Sequence, residues 1–312
     1  MPIEMPSRLI SNASGVHCVA PTSLNELFDS ESTHVVTKSC TRDARMGNPH
    51  PRYWSDGHGS VNSSGLPNMG YRAYMDYTPP SRRLYKPYVI SVAGLTLDEN
   101  IEIFKAIQVK QHEKKVSDID GIELNLSCPN VAGKAQIGYD MESTAKYLDT
   151  LVPLLPPRDL FTFGVKLPPY FDPTHFDQVA SVLSRYQRLD SVTAINSLGN
   201  GLIIDMETDK PRIAPRGGFG GIGGKYCLPI ALANIRQHFI RLTPYCKRIV
   251  GCGGVSDGAT MYQHILCGAS EVQVGTQLYD EGPDCFKRIL DEFQELCEKK
   301  GHQTLYSFRG DF

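Results

Sequence analysis

The sequence lacks the cysteine patterns that organise disulfides or metals. Its nine cysteines stand at positions 18, 40, 128, 227, 246, 252, 267, 285 and 297. The number is odd, and no two cysteines are separated by only two residues, as zinc and iron–sulfur sites commonly require. The spacing therefore indicates neither a disulfide framework nor a metal site, and it favours reduced thiols inside a cell.

Long apolar runs and a strong excess of one charge are also missing. No run of about 18 apolar residues occurs, so no membrane-spanning helix is predicted. The first residues, MPIEMPSRLISNASG, have no apolar stretch of a signal peptide, so we expect neither secretion nor organelle import. The net charge of −2 does not favour a nucleic-acid binder. Together these absences predict a cytoplasmic protein without nucleic-acid or membrane partners.

Short strands rich in β-branched residues alternate with helical stretches along the chain. Strands are predicted at 9–12, 35–38, 88–92, 121–126, 163–166, 192–196, 248–252 and 271–275. Helices are predicted at 23–30, 98–113, 141–154, 175–186, 228–241, 258–266 and 284–300. This alternation predicts an α/β fold, a (β/α)8 TIM barrel with long loops at its C-terminal face. No repeat or low-complexity linker divides the chain, so residues 1–312 are predicted to form a single domain.

Two connections are longer than such a barrel requires. Residues 39–86 contain GNPHPRY and GHGSVNSSGLPNMGY, and residues 197–226 contain GNGLIID and GGFGGIGGK. Each follows a predicted strand and so extends from the face where barrel enzymes keep their chemistry. Because loops of this length usually have a function, we expect both to contribute to a site.

Polar residues end four of the predicted strands: Lys38, Asn125, Lys166 and Asn196. In a barrel these positions converge on one mouth. A lysine at the end of an apolar strand is costly to bury without a partner, and an anionic ligand would serve as one. The alternative is that each lysine pairs with a neighbouring carboxylate.

Glycine-rich turns follow the last two predicted strands. They are Gly251-Cys252-Gly253-Gly254 and Gly275-Thr276, and a third glycine-rich segment, 220–225, precedes them. TIM barrels often bind phosphate after their last two strands, through backbone N–H groups. Glycine is favoured there because it lets the phosphate approach the backbone closely. A single pair of glycines would be explained by a turn alone. The three glycine-rich segments together predict a bound phosphate group.

Cys128 is the one cysteine whose surroundings predict reactivity. It lies just past a strand end in the segment NLSCPN, and nearby lysines at positions 38, 134 and 166 would lower its pKa. His17 also follows a strand, but no serine or carboxylate accompanies it, so we interpret it as structural. No hydrolase triad is evident.

These segments resemble the dihydroorotate dehydrogenases, and among them the class 1A enzymes. The matching segments include NASGVHC (12–18), TKSC (37–40), GSVNSSGLPN (59–68), ELNLSCPNVAGKAQIGYD (123–140), FGVKLPPYFD (163–172), INSLGNGLIID (195–205), GGFGGIGGKY (217–226), GCGGV (251–255) and FRG (308–310). Cysteine rather than serine at position 128 resembles class 1, and the GK-Q-YD loop resembles class 1A.

The resemblance implies FMN as cofactor. Its phosphate would be held by Gly223, Gly224, Gly253, Gly254, Gly275 and Thr276. Its ring and ribityl chain would be lined by Ala13, Ser14, Lys38, Ser39, Asn125, Lys166 and Ile195. Lys166 would place positive charge beside the ring edge that becomes anionic on reduction.

The resemblance also implies oxidation of (S)-dihydroorotate to orotate in de novo pyrimidine biosynthesis, by a homodimer. Lys38 would bind the substrate carboxylate, and Ser64, Gly65 and Leu66 would lie against the ligand. Amide and hydroxyl partners would be Asn62, Asn125, Asn130, Asn196 and Ser197. Cys128 would take the proton from C5 while hydride passes from C6 to FMN N5. Fumarate, reduced to succinate in the same pocket, would accept the electrons.

The sequence departs from the family pattern at a few positions. Ser64 stands where the family has methionine, Gly57-His58 replaces proline-leucine, and residues 8–11 differ from the family's lead-in. These differences leave two alternatives open: a catalytically silent paralogue that binds FMN or orotate, and a flavin oxidoreductase that acts on another pyrimidine. Lys38 favours a substrate with a carboxylate over a neutral base.

Overall fold

Eight parallel strands form the centre of the computed structural model, which describes residues 6–79, 86–113, 119–127, 136–157 and 161–312. The strands, in chain order, are β1 (Ile10–Asn12), β2 (Val35–Val36), β5 (Tyr88–Val92), β6 (Gly121–Asn125), β7 (Thr162–Lys166), β8 (Ser191–Ala194), β13 (Arg248–Cys252) and β14 (Glu271–Val274). Their order in the sheet is β1-β14-β13-β8-β7-β6-β5-β2. A parallel bridge from Ser11 to His34 joins the two edges and closes the barrel.

The strands are buried on both faces, as parallel strands covered by helices are expected to be. All five residues of β5 are buried, and so are four of the five residues of β6. The helices, in chain order, are α1 (Pro21–Asp29), α2 (Tyr71–Asp76), α3 (Leu97–Glu113), α4 (Met141–Leu151), α5 (Pro173–Leu183), α6 (Leu228–Leu242), α7 (Gly258–Leu266), α8 (Thr276–Glu281) and α9 (Cys285–Lys300).

Local sequence signals explain where several helices begin and end. Asp140 caps α4, and Asp172 caps α5 directly before Pro173, a residue that suits the first helical turn. At α7, Asp257 and Thr260 form a reciprocal capping box. Gly301 ends α9 in the left-handed conformation that glycine adopts without strain.

A second, antiparallel sheet is built from the two long connections. Its strands are β3 (Tyr53–Ser55), β4 (Gly59–Asn62), β9 (Leu198–Gly201) and β12 (Gly220–Gly224), in the order β3-β4-β12-β9. Gly221 pairs with Asn62 and Ile222 pairs with Val61, so the first long connection lies against the second. A two-residue pair, β10 (Ile204–Asp205) and β11 (Lys210–Pro211), completes the second connection.

The barrel predicted from the sequence is confirmed, with strand ends that differ by at most two residues. The seven predicted helices are also present, and the short helices α2 and α8 were not predicted. Within the two long connections, the sequence did not predict the short strands that pair with one another. The reason is composition: glycine-rich β12 has little strand propensity, so partners distant in the chain decide its conformation.

Two further findings concern the described part of the chain. No helix there is long and apolar enough to cross a membrane. No group of three or more His, Cys, Asp or Glu side chains within these residues is placed to hold a metal ion. Eight of the cysteines are described; they carry free thiols, and all but Cys246 are buried.

Candidate active site

A pocket opens at the carboxyl ends of the barrel strands, where the small sheet lies beside them. It contains about 1030 Å³ of space free of protein atoms, including its open mouth. The sequence-predicted site residues that line it are Ala13, Ser14, Lys38, Ser39, Asn62, Ser64, Gly65, Leu66, Asn125, Lys166, Ile195, Asn196, Ser197, Gly223, Gly224, Gly253, Gly254, Gly275 and Thr276. The predicted residues Cys128 and Asn130 lie outside the described residues.

The pocket has two walls of different origin. We call the residues that end or follow barrel strands the barrel wall; its polar members include Lys38, Asn125, Lys166 and Asn196. We call the residues of β3, β4 and β12 and the turn after β4 the sheet wall; it includes Asn62, Ser64, Gly223 and Gly224. A ligand in this pocket would therefore meet cations and amides on one side and glycine-rich backbone on the other.

Lys166 ends β7 and is almost fully buried, with 4% of its surface exposed. Its Nζ donates to Gln273 Oε1 at 2.8 Å and lies 3.5 Å from Cys252 Sγ. Burial lowers the pKa of Lys166, but the neighbouring Cys252 and Glu123 raise it by more, and the net shift is upward. The side chain is therefore a permanent cation at the base of the pocket.

Lys38 supplies a second cation to the barrel wall. It follows β2 and is buried, and its Nζ donates to the carbonyl oxygen of Gly15 at 2.5 Å. That contact holds the ammonium group beside the chain segment that follows β1. Two lysines from different strands thus converge on one pocket, as the strand-end pattern predicted.

Amide side chains of the barrel wall connect chain segments that belong to different, non-adjacent strands. Asn125 Nδ2 donates to Ser39 Oγ at 3.0 Å, and Asn125 Oδ1 accepts from Ser127 N at 3.0 Å. Asn196 Nδ2 donates to the carbonyl oxygen of Ser127 at 2.7 Å, and Asn196 Oδ1 accepts from Ser197 N at 2.9 Å. These bonds fix the orientation of both amides, so each presents a defined donor or acceptor to a ligand.

Glycines in the pocket stand where a side chain would not fit. Gly254 has φ +82°, and a Cβ there would lie 2.6 Å from Leu228 Cβ. At Gly224, with φ +69°, a Cβ would lie 2.7 Å from Gly59 Cα. Beside them, Ser60 Oγ and Thr276 Oγ1 are 2.8 Å apart. Glycine backbone without side chains thus lies beside two hydroxyl groups, an arrangement that suits a phosphate group.

The sequence reasoning missed several residues that line the pocket: Gly15, Val16, Tyr53, Ser60, Cys227, Cys252 and Val255. Cys252 and Val255 belong to the GCGGV segment and could have been found from it. Tyr53 ends the GNPHPRY segment, but only the antiparallel sheet shows that it reaches the pocket, with its ring 3.9 Å from that of Tyr279. Burial raises its pKa to about 12, so its phenol stays protonated at neutral pH.

Comparison with known proteins identifies the family. The sequence profile of dihydroorotate dehydrogenase matches residues 7–297. The chain belongs to the dihydroorotate dehydrogenase family. It is 46% identical over 308 residues to dihydroorotate dehydrogenase A (fumarate) of Lactococcus lactis, covering 96% of this chain and 93% of that protein. It is also 46% identical over 302 residues to dihydroorotate dehydrogenase (fumarate) of Trypanosoma brucei brucei, covering 96% of this chain and 93% of that protein.

These relatives confirm the class 1A resemblance seen in the sequence. The fold agrees with solved structures of more distant members of the family. Dihydroorotate dehydrogenase of Eimeria tenella in complex with ferulenol superposes with a TM-score of 0.77 at 18% identity, over 97% of this chain and 84% of that one. The ligand-free structure of that enzyme superposes with a TM-score of 0.76.

Ser64, for which the sequence resemblance implied methionine in the family, lies in the sheet wall. It is partly exposed, and its Oγ lies 3.5 Å from Asn62 Oδ1, while Asn62 Nδ2 donates to the carbonyl oxygen of Gly221 at 3.2 Å. The adjacent Gly65 has φ +71° and is buried. The backbone turn after β4 is therefore present, and the difference at position 64 is confined to a side chain.

Proposed function

We propose that the protein oxidises (S)-dihydroorotate to orotate, with FMN as its cofactor and fumarate as the electron acceptor. The observation that carries the proposal is the convergence of Lys38, Lys166, Asn125 and Asn196 on one pocket beside a glycine cradle. Support also comes from relatives at 46% identity that are named fumarate-dependent dihydroorotate dehydrogenases.

The residues present fit FMN. Gly223, Gly224, Gly253 and Gly254, with Gly275 and Thr276, offer backbone amides where a Cβ at Gly224 or Gly254 would clash. Lys166 would face the part of the ring that gains negative charge on reduction, with Ala13, Ser14, Ser39 and Ile195 along the ring and ribityl chain. When bound, FMN supplies the two-electron acceptor for the substrate and is reoxidised by fumarate.

The polar residues of the pocket suit a small anionic heterocycle. Lys38 would pair with the substrate carboxylate, a charge-assisted contact that a neutral pyrimidine could not make. Asn62, Asn125, Asn196 and Ser197 would donate to and accept from the ring amides, and the turn at Ser64, Gly65 and Leu66 would offer backbone N–H groups. Two cations within one pocket explain why a dicarboxylate such as fumarate would be accepted there.

We assign the removal of the C5 proton to Cys128. A thiolate is the base that a cysteine provides, and the positive charges of Lys38 and Lys166 in the pocket would favour the thiolate over the thiol. Asn130, in the same segment, would be a further substrate contact. Orotate, whose carboxylate takes no part in the reaction, would then leave the pocket as the product. The reaction would serve de novo pyrimidine biosynthesis.

We further propose that residues 1–312 form one domain, that two copies assemble as a homodimer, and that the enzyme is cytoplasmic. Small molecules would be its partners: dihydroorotate, orotate, fumarate and succinate. Size determination in solution tests the assembly, and a mass near that of one chain (34.6 kDa) would contradict it.

An anaerobic titration tests the function as a whole. The purified protein is expected to be yellow, to bleach when dihydroorotate is added, and to regain its colour when fumarate follows. A yellow protein that does not bleach would favour the silent paralogue or another pyrimidine substrate. A colourless protein, even after incubation with FMN, would contradict the cofactor assignment.

A further inference from the structure

A carboxylate lies inside the barrel below the pocket, where the proposed chemistry has not used it. Glu123 is in the middle of β6, two residues before Asn125, so both side chains point into the barrel. It is 5% exposed. Barrel interiors are usually filled by apolar branched side chains, and a buried carboxylate is costly unless it is paired. Its presence there calls for a physical reason.

Hydrogen bonds connect Glu123 to Lys166 through one glutamine. Glu123 Oε2 accepts from Gln273 Nε2 at 2.8 Å, and Gln273 Oε1 accepts from Lys166 Nζ at 2.8 Å. The glutamine thus presents its donor to the carboxylate and its acceptor to the ammonium group. This arrangement fixes the amide orientation and spans β6, β14 and β7.

The remaining contacts of the carboxylate define a control. Thr193 Oγ1, on β8, donates to the same oxygen, Glu123 Oε2, at 2.9 Å. Glu123 Oε1 has no hydrogen-bond partner within the described residues. Thr193 pairs with Lys166 through the strand backbone, but its side chain supports the carboxylate without a hydrogen bond to the Lys166 side chain.

The charged and titratable groups around Lys166 come from several elements. Glu123 acts on it from β6, Cys252 from β13 and Cys18 from the segment after β1, and Lys38 in turn acts on Cys18. Burial raises the pKa of Cys252 and raises that of Cys18 to about 11, so both are thiols at neutral pH. Among these groups, Glu123 therefore supplies the negative charge beside Lys166 at neutral pH, and Cys252 adds to it only where its thiol ionises.

We propose that Glu123 is a positioning residue that, through Gln273, holds the Lys166 ammonium group charged and in place at the base of the pocket. The inference rests on the proposed function insofar as Lys166 serves FMN. A buried lysine without a counter-charge loses its proton readily, since burial disfavours the charged form. A neutral amine there would no longer favour the anionic reduced flavin.

The test measures how FMN binding depends on pH in the holoprotein. Free FMN released on dilution is followed by its fluorescence between about pH 7 and 9, below the ordinary pKa of lysine. In wild type the dissociation constant is expected to change less than about two-fold. In Glu123→Gln it is expected to rise about ten-fold or more, since one pKa unit corresponds to a factor of ten.

Matched variants separate this role from a structural one. Thr193→Val removes a hydrogen bond from the same oxygen but no charge, so its pH profile should match wild type even if its Tm falls. Glu123→Asp keeps the charge and should also stay independent of pH. In a Lys166→Met background, adding Glu123→Gln should introduce no pH dependence. A flat profile for Glu123→Gln, or a sloping one that persists in Lys166→Met, would overturn the inference.

A second measurement does not require the flavin. The ¹³Cε resonance of Lys166, assigned by its loss in Lys166→Met, is titrated in wild type and Glu123→Gln. Its midpoint should fall by about two and a half units or more in the variant, which is the fall that a ten-fold change in FMN binding by pH 9 requires, and equal midpoints would overturn the inference. If wild type binds no FMN, the proposed function fails, and this titration still decides the role of Glu123.

Discussion

The two walls of the pocket are held in place by different means. On the barrel wall, Lys166 and Asn125 belong to strands whose hydrogen bonds and packed interior fix them, and their side chains bond to neighbours in the same barrel. On the sheet wall, Asn62 depends on the pairing of β4 with β12, two segments that are 159 residues apart at its contact with Gly221. The two lysines of the pocket thus lie on the wall built from barrel strands, whereas the other wall depends on pairing between segments distant in the chain.

The largest effect is expected for the base that follows barrel strand β6. Cys128→Ala should reduce dihydroorotate oxidation by about 10²–10⁴-fold, the usual contribution of a general base, while the protein stays yellow. Stopped-flow bleaching of the flavin checks it. Cys128→Ser should retain slow activity that increases at high pH, because serine is a much weaker base. Loss of FMN from Cys128→Ala would instead indicate a structural role for that segment.

A smaller effect is expected for the cation of the barrel wall that is assigned to the substrate. Lys38→Ala should weaken orotate binding by about 1.5–3 kcal/mol, because it removes a charge-assisted contact. Orotate titration of the flavin spectrum measures it, and Asn62→Ala on the sheet wall serves as the comparison with a neutral contact. Unchanged orotate affinity in Lys38→Ala would mean that this lysine serves only the cofactor.

Acid should weaken the barrel through its buried histidines. Burial lowers the pKa of His238 to about 3, and of His34 and His264 to about 4. Because these values lie below the unfolded value of about 6.5, the stability they contribute is complete above that pH and is lost as the pH falls toward the folded values. The expected loss is about 1.4 kcal/mol per pH unit for each fully buried histidine.

Urea unfolding at pH 7 and pH 5 measures this loss. His238→Leu is the informative variant, since the ring lies between Tyr170 and Phe176 and neither ring nitrogen has a partner within the described residues. The variant should lose less stability between the two pH values than wild type. Equal losses would show that His238 does not titrate as proposed.

The smallest effect is expected on the sheet wall at position 64. Ser64→Met restores the family residue and should strengthen orotate binding by about 1 kcal/mol, the order of one or two buried methylene groups. Since the turn at Gly65 is already formed, FMN content should not change. A loss of affinity in Ser64→Met would mean that the serine hydroxyl itself contacts the ligand.

The sequence by itself determined the barrel and the barrel wall. Each strand is short, apolar and followed by a polar or glycine residue, and the ends of parallel strands meet at one face. Lys38, Asn125, Lys166 and Asn196 could therefore be placed together without any structure. Asp140 and Asp257 cap helices α4 and α7 through residues next to them in the chain, so these helix starts are also local properties of the sequence.

Only the tertiary structure decided the sheet wall and the network below the pocket. β12 consists of glycines and one isoleucine, so nothing local specifies its pairing with β4. In the sequence, Glu123 is one residue of a predicted strand and nothing marks it out. Its link to Lys166 depends on Gln273, which is 150 residues further along the chain. Contacts between residues so distant in sequence depend on how the barrel closes, and closure is a property of all eight strands together.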